Sequence, residues 1–318
     1  MILVVTSKND LTADRLVCEL ADRNASFARF DLAEFPRALS ISAVLENAGS
    51  HWSGEIRTTC EKVQLSDVHA IYYRRPTGFE LPDHLGASDR AFAVAEARRG
   101  VGGLLHSMSC TWVNHPARVA DAEFKPAQLA VAADCGLRVP RSLLTNDPDS
   151  AREFVARHGA SALYKPMSAA NIVDDSGGVS LVFTSRVRPD DIVDADTALT
   201  MNLFQEWVPK LFDARVTVFG DRVFGVAIDA GSPAGHLDWR IDYSSLTYRP
   251  VEVPGEVCDA MLGYLSRWGL TYGAFDFAVT EEAWFFLECN ANGQFGWIEA
   301  EVGLPMTEAL ADLLIGGG

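Results

Sequence analysis

The chain has 318 residues, 48% of them hydrophobic and 10% aromatic, and carries a formal net charge of −16. That is the composition of a folded protein large enough for two or three subdomains, and it excludes a disordered chain. An acidic balance with no run of Lys and Arg also argues against a nucleic-acid surface, while leaving room for a nucleotide held by a few local cations. No apolar run approaches the ~20 residues that a membrane span needs. Ile2-Leu3-Val4-Val5 opens the chain without the basic start and long apolar core of a signal peptide. The six cysteines (Cys18, Cys60, Cys110, Cys135, Cys258 and Cys289) are scattered without a CxxC pair, as expected of reduced thiols in a cytoplasmic protein.

In chain order, residues 2–6 form a β-branched run, followed by the polar Ser7-Lys8-Asn9-Asp10 and a helical pattern with Leu11, Leu16, Val17 and Leu20 on one face. Strand, turn and helix in that order begin a βαβ unit and predict a parallel sheet. Strands follow at 27–32, 70–73 and 111–114, with a long helix at 89–105. Segments 39–45 and 52–58 alternate around Asn47-Ala48-Gly49-Ser50 and predict an inserted hairpin. His115-Pro116 closes this first domain, residues 1–116.

Residues 117–204 read as a small α+β domain. One helix runs from Ala117 through Lys125 to Gly136, and another spans 148–158. The apolar Ala162-Leu163-Tyr164-Lys165 stops at Pro166, and Asp174-Asp175-Ser176-Gly177-Gly178 separates it from a strand at 179–183. The remainder, 205–318, is strongly β: strands at 203–208, 214–219, 223–228, 273–279 and 284–287, with helices at 256–268 and 305–314. The expected fold is thus α/β and α+β: an N-terminal parallel α/β domain followed by central and C-terminal α+β domains. Gly316-Gly317-Gly318 reads as a flexible tail.

The chemistry concentrates near the C-terminus. In Phe286-Leu287-Glu288-Cys289-Asn290, residues i and i+2 of a strand point to one side, so Glu288 and Asn290 can converge on one hard cation. If Glu281-Glu282 turns a hairpin, Asp276 falls almost opposite Glu288. Two carboxylates and an amide oxygen, with no His or Cys, suit Mg²⁺ rather than Zn²⁺. A strand end whose acids merely face solvent is the alternative.

Lys125 and Lys165 each sit in apolar surroundings, and a buried ammonium needs a partner such as a nucleotide phosphate; snorkelling to solvent is the other reading. Gly177-Gly178 suits either a phosphate-covering loop or a hairpin turn. The extended Gln205-Glu206-Trp207-Val208, ending at Pro209, could leave backbone groups free to read an adenine edge, with Asp213 placed for ribose hydroxyls. An edge strand with solvent-facing charges fits equally well. Asp238-Trp239-Arg240 follows a Gly/Pro/Ala-rich loop and offers a guanidinium fork for a phosphoryl group. Arg74 and Arg75, in Tyr72-Tyr73-Arg74-Arg75-Pro76, suit surface salt bridges as well as ligand contact. No Walker loop, GxGxxG, Gly-x-Ser-x-Gly elbow or Ser/His/Asp arrangement is present.

Taken in order and over essentially the whole chain, these residues resemble the ATP-grasp superfamily, which holds ATP between its central and C-terminal domains. The resemblance implies that Lys125 and Lys165 contact ATP phosphates, that Gly177-Gly178 belongs to the covering loop, and that Gln205, Glu206, Trp207 and Val208 form the adenine hinge. It further implies Asp213 on the ribose, Asp276, Glu288 and Asn290 on Mg²⁺, and Arg215 and Arg240 near the γ-phosphate. Tyr72-Tyr73-Arg74-Arg75-Pro76, Val113-Asn114-His115-Pro116, Asp238-Trp239-Arg240 and Asn290-Ala291-Asn292-Gly293-Gln294 look most like ATP-grasp ribosomal peptide maturases, the graspetide or microviridin-type macrocyclases, with the actinobacterial branch nearest. Ala291 is one departure, since Pro is more usual there.

What that family implies is an ATP- and Mg²⁺-dependent macrocyclase of a ribosomal precursor peptide with a leader and a core of Thr, Ser or Lys plus Asp or Glu. The enzyme would phosphorylate an Asp or Glu side chain and let a hydroxyl or amine of the same peptide close an ester or amide. Asp238 would serve as base for that nucleophile or orient Arg240. The family suggests a homodimer. A ligase of the same fold that adds a free amino acid, resembling glutamate ligases or glutathione synthetase, is the alternative activity, and a non-catalytic nucleotide-binding protein a third.

Overall fold

The structure is a computed structural model describing residues 1–46, 51–168, 171–173 and 178–316. The expected turn at 47–50, most of the loop at 174–178, including Gly177, and the last two glycines lie outside the described residues.

At the N-terminus, four strands form a wholly parallel sheet in the order Phe27–Phe30, Ile2–Val5, Ala70–Tyr73, Thr111–Val113. The helix Leu11–Asp22 starts at Asp10, whose carboxylate accepts from the Thr12 and Ala13 amides and so satisfies two of the donors a helix start leaves free. Its Leu16 and Leu20 are buried against one sheet face. The helix Ala87–His106 covers the other face through Val101, Leu104 and Leu105. Ser40–Val44 and Ser53–Arg57 pair antiparallel as the sequence suggests, and a third strand, Lys62–Gln64, adds to them. That strand has one buried side chain, Val63, too little for a periodic signal.

The single helix expected from Ala117 to Gly136 is two, Pro116–Ala122 and Lys125–Asp134. Pro126 is the reason: its ring has no N–H to donate and would clash with the carbonyl four residues back, that of Ala122. The break places Lys125 at the start of the second helix. The central sheet then runs Ser185–Arg186, Ala162–Lys165, Asn202–Glu206, Ser142–Thr145, all antiparallel, backed by Pro148–His158. Asn202–Glu206 is therefore an inner strand paired on both sides, and it spans the expected 204/205 division.

The last sheet has five antiparallel strands in the order Leu246–Pro250, Arg222–Ala230, Phe212–Phe219, Tyr272–Val279, Trp284–Asn290. One face packs Phe275, Phe277 and Phe286 on Met261, Tyr264 and Leu265 of the helix Gly255–Trp268. Each of those fully buried rings contributes roughly 2–3 kcal/mol of transfer free energy. Gly269, at φ +65, ends that helix in the left-handed conformation that glycine adopts at least cost. The other face, through Phe219, Tyr272 and Ala274, shares one core with Ile2, Val4, Leu16, Leu20 and the helix Met306–Ile315. The N-terminal unit and the C-terminal sheet are therefore packed as one body.

Candidate active site

The site is built on two adjacent strands. Asp276 on Tyr272–Val279 is the ladder partner of Glu288 on Trp284–Asn290, as the hairpin reading expects. Immediately beyond, Phe277 pairs with Phe286, so Leu287 is an extra residue in the ladder. Such a bulge turns successive side chains to one side. Phe286 and Cys289 point into the core, whereas Leu287 and Glu288 both face the cleft. Asn290 follows at i+2 from Glu288, and its Nδ2 lies 3.2 Å from Asp276 Oδ2 and 3.5 Å from Glu288 Oε1. Three oxygen-bearing side chains thus meet at one point. Gln128 fixes this strand from behind: its amide accepts from the Cys289 N–H at 2.9 Å and donates to the Cys289 carbonyl at 3.0 Å.

Cations surround the pair. Lys125 Nζ is 3.1 Å from Glu288 Oε2 and donates to the Pro166 carbonyl at 2.9 Å, which ties the central sheet to the strand Trp284–Asn290. Arg240 Nη1 stands 3.7 Å from Glu288 Oε1. Arg215 Nη1 donates to both oxygens of Asp276 at 2.7 Å, because the two residues are ladder partners across neighbouring strands. Burial by itself would raise the Glu288 carboxyl, but Lys125, Arg240 and Lys165 together hold it down to about 2. Asp276 goes the other way: burial and the Glu288 charge raise it against the pull of Arg215. Burial, with the nearby charges of Lys125 and Arg240, lowers the Lys165 ammonium to about 8 against the pull of Glu288 and Asp238.

These groups open onto a cleft between the central and C-terminal sheets. Of the residues singled out in the sequence, it is lined by Lys165, Gln205, Glu206, Trp207, Val208, Asp213, Asp238, Arg240, Asp276 and Glu288. Lys125, Arg215 and Asn290 stand behind these, in contact with the two carboxylates. Gly178 is exposed, with Gly177 outside the described residues.

Three arrangements differ from the sequence expectation. The hinge segment is not an edge strand: the Glu206 amide already donates to Arg141 O at 2.8 Å and the Trp207 amide to Ser161 O at 2.6 Å. Val208 is the first amide beyond those paired groups. Asp213 is not free, since Lys210 holds it at 2.7 Å, and burial nevertheless raises its carboxyl to about 6. Arg215 is bound to Asp276, and it does not line the cleft beside Arg240.

Asp238, buried, accepts a two-point fork from Arg240 (Nε to Oδ1 and Nη2 to Oδ2, each 2.8 Å) and also the Arg240 and Thr184 amides. Those bonds hold its carboxyl below the usual range although burial pushes it up. Sequence reading missed Lys210, whose only local signal is its i, i+3 spacing to Asp213, and Thr184, which carries none. It also missed the apolar slot of Leu163, Leu237, Ala278 and Leu287.

Among the described residues no group of three or more His, Cys, Asp and Glu could hold a metal by itself. The Asp276, Glu288 and Asn290 set has only two carboxylates and needs the amide to complete it. With the Asn290 amide turned so that Oδ1 rather than Nδ2 faces the carboxylates, the set would offer the hard oxygen donors that fit Mg²⁺.

Comparison with known proteins decides the class. The chain superposes on the macrocyclase MdnC bound with precursor peptide MdnA from Microcystis aeruginosa MRC, at 28% identity and TM-score 0.84, over 99% of each chain. The chain is an ATP-grasp ligase. Its architecture is that of the ribosomal-peptide maturases. A RiPP-associated ATP-grasp ligase from Chryseobacterium gregarium, in complex with ADP and a leader and core peptide, matches the ligase at 26% identity and TM-score 0.88, covering 99% of this chain and 96% of that one. The ATP-grasp ligase PsnB, complexed with a phosphomimetic variant of its minimal precursor, Mg and ADP, matches at 25% identity and TM-score 0.77, covering 99% and 97%. Residues 1–120 match the MvdD pre-ATP grasp domain family. No curated protein matches the ligase. Among the described residues no helix is long and apolar enough to cross a membrane.

Proposed function

We propose that this ligase is an ATP- and Mg²⁺-dependent macrocyclase that installs side-chain ester or amide crosslinks in a ribosomally made precursor peptide. The observation that carries the reading is the cleft in which Lys165, Arg240, Asp276 and Glu288 converge, on a chain that aligns end to end with peptide macrocyclases. Lys165 and Lys125 hold the phosphates. The Glu206–Val208 segment meets the adenine, with Leu163, Ala278 and Leu287 as its apolar walls. Asp213 takes the ribose, and Gly177-Gly178 covers the phosphates. Asp276, Glu288 and the Asn290 amide oxygen hold Mg²⁺, which when bound neutralises charge on the phosphates.

The chemistry follows from a carboxylate being a poor electrophile. An oxygen of a core Asp or Glu attacks the γ-phosphorus of ATP, the bond to the ADP oxygen breaks, and an acyl phosphate forms. A Thr or Ser hydroxyl, or a Lys amine, of the same core then attacks the acyl carbon, and phosphate leaves as the nucleophile gives up its proton. Arg240 clamps the transferring group. Asp238, bound by the fork and two amides, orients Arg240 better than it could accept a proton. Arg215 fixes Asp276.

We assign residues 1–116 to the N-terminal domain, 117–204 to the central one and 205–318 to the C-terminal one, with Asn202–Glu206 carrying the chain across the last boundary. The protein acts as a homodimer in the cytoplasm. Mass spectrometry tests the function: a short peptide rich in Thr or Ser and Asp or Glu, encoded beside the enzyme, is incubated with enzyme and ATP. Loss of one water mass per crosslink is expected. Gain of an amino-acid residue mass would mean ligation of a free amino acid instead.

A further inference from the structure

We infer that Arg74, from the N-terminal unit, is a positioning residue for the metal site: it fixes the loop after Asn290 and thereby the Asp276, Glu288 and Asn290 geometry. The inference rests on the reading of those three side chains as the Mg²⁺ site. Arg74 sits where the strand Ala70–Tyr73 ends, and 2% of its surface is exposed. Its Nε donates to Asp10 Oδ2 at 2.7 Å and its Nη1 to the Gly293 carbonyl at 3.2 Å, 219 residues away. Tyr272, on the Asp276 strand, donates its hydroxyl to the same carbonyl at 2.7 Å. In return the Asn292 side chain donates through Nδ2 to the Arg74 carbonyl at 2.6 Å. The Gly293 amide donates to Asn290 O at 3.1 Å, so the clasped residue is bonded directly to the metal-type residue.

Arg74 Nη2 is buried with no hydrogen-bond partner among the described residues, and burying an ion pair often stabilises a fold no more than an apolar side chain of similar volume does. What an apolar side chain cannot do is hold Asp10 and Gly293 at once, with a fork that joins the N-terminal unit to the loop after Asn290. Asp10 is itself fixed, as the cap of Leu11–Asp22 and the acceptor of the Thr6 hydroxyl at 2.8 Å. The loop is therefore referenced to a rigid helix start.

The test is direct metal binding. Mn²⁺, which shares the oxygen-ligand preference of Mg²⁺, is titrated by electron paramagnetic resonance into the full-length enzyme with ADP present. Outer-shell residues of metal sites change affinity by about 10- to 100-fold, so Arg74→Lys, which keeps the charge and loses the fork, should weaken Mn²⁺ at least about tenfold. The Mg²⁺ concentration for half-maximal turnover should rise in step while kcat recovers at saturating Mg²⁺, which a loss of folded protein would not produce. Tyr272→Phe removes the other donor to Gly293 without burying a lone charge and should shift Mn²⁺ in the same direction. Wild-type Mn²⁺ affinity in both variants overturns the assignment. If wild type and Glu288→Gln bind Mn²⁺ alike, the metal-site reading fails first and the positioning role falls with it.

Discussion

Gly293→Ala adds one methyl group at the point where three parts of the site touch. A β-carbon there would lie 2.8 Å from Ala274 Cβ, 2.9 Å from Arg215 Nη2 and 3.0 Å from Asn290 Cβ, where ordinary contacts begin near 3.4 Å. Ala274 is fully buried on an inner strand and cannot yield. Arg215 is fixed by its bonds to both oxygens of Asp276. The loop must therefore withdraw by roughly half an ångström, taking Asn290 with it. Overpacking of this kind costs about 1–3 kcal/mol, and misplacement by about 1 Å costs on the order of 100-fold in rate, so turnover should fall by about tenfold or more. Gly100→Ala is the matched control: the same atom meets nothing within 4 Å in the interior of Ala87–His106, and it should stabilise that helix by about 0.5–1 kcal/mol. Urea unfolding and ADP release measure both quantities. A Gly293→Ala enzyme with wild-type stability and turnover would refute the claim that this loop sets the metal-type residues.

Two further substitutions probe the cleft. Lys165 titrates near 8 rather than 10.5, so between those values the free enzyme carries a neutral amine where an ordinary lysine would still be charged. With Lys165 binding phosphates in its charged form, as proposed above, kcat/KM for ATP should fall as pH rises through about 8, since that ratio reports the free enzyme. Lys165→Arg, charged throughout, should flatten the profile, and equal slopes for the two enzymes would exclude Lys165 from phosphate binding. Arg240→Lys cannot keep both bonds to Asp238 while reaching toward Glu288. It should bind ATP within a few-fold of wild type yet lose on the order of 100-fold in kcat; normal turnover would remove Arg240 from the chemistry.

How much of this was legible in the sequence depends on how far apart the interacting residues lie. Asp276 opposite Glu288, with Asn290 on the same side, follows from strand periodicity and a tight turn, and all three residues lie within one hairpin. The bulge at Leu287 was not legible, because Trp284-Phe285-Phe286-Leu287 is apolar at every position and gives no alternation for an extra residue to break. Nor was the inner position of Asn202–Glu206: a terminal Pro suggested an edge, but Pro209 lies beyond the last paired residue, where it removes no ladder bond. The break at Pro126 follows from proline chemistry that the helical pattern around it obscured.

The role of Arg74 lay furthest from what the sequence could reveal. Read locally, Tyr72-Tyr73-Arg74-Arg75 is a basic pair at a strand end, and nothing within the first domain distinguishes a buried arginine from an exposed one. The two in fact divide: Arg74 is enclosed and reaches Gly293, whereas the more exposed Arg75 donates to Asn292 O at 3.2 Å. Asn114 makes a third such link, donating to Ala291 O at 2.8 Å across 177 residues. Three consecutive carbonyls after Asn290, those of Ala291, Asn292 and Gly293, are thus each held by a side chain of the N-terminal unit. Held by its carbonyl, the loop needs no particular side chain at position 291. That explains physically how Ala291 can stand where proline is more usual: external hydrogen bonds supply the stiffness that a proline ring would otherwise contribute.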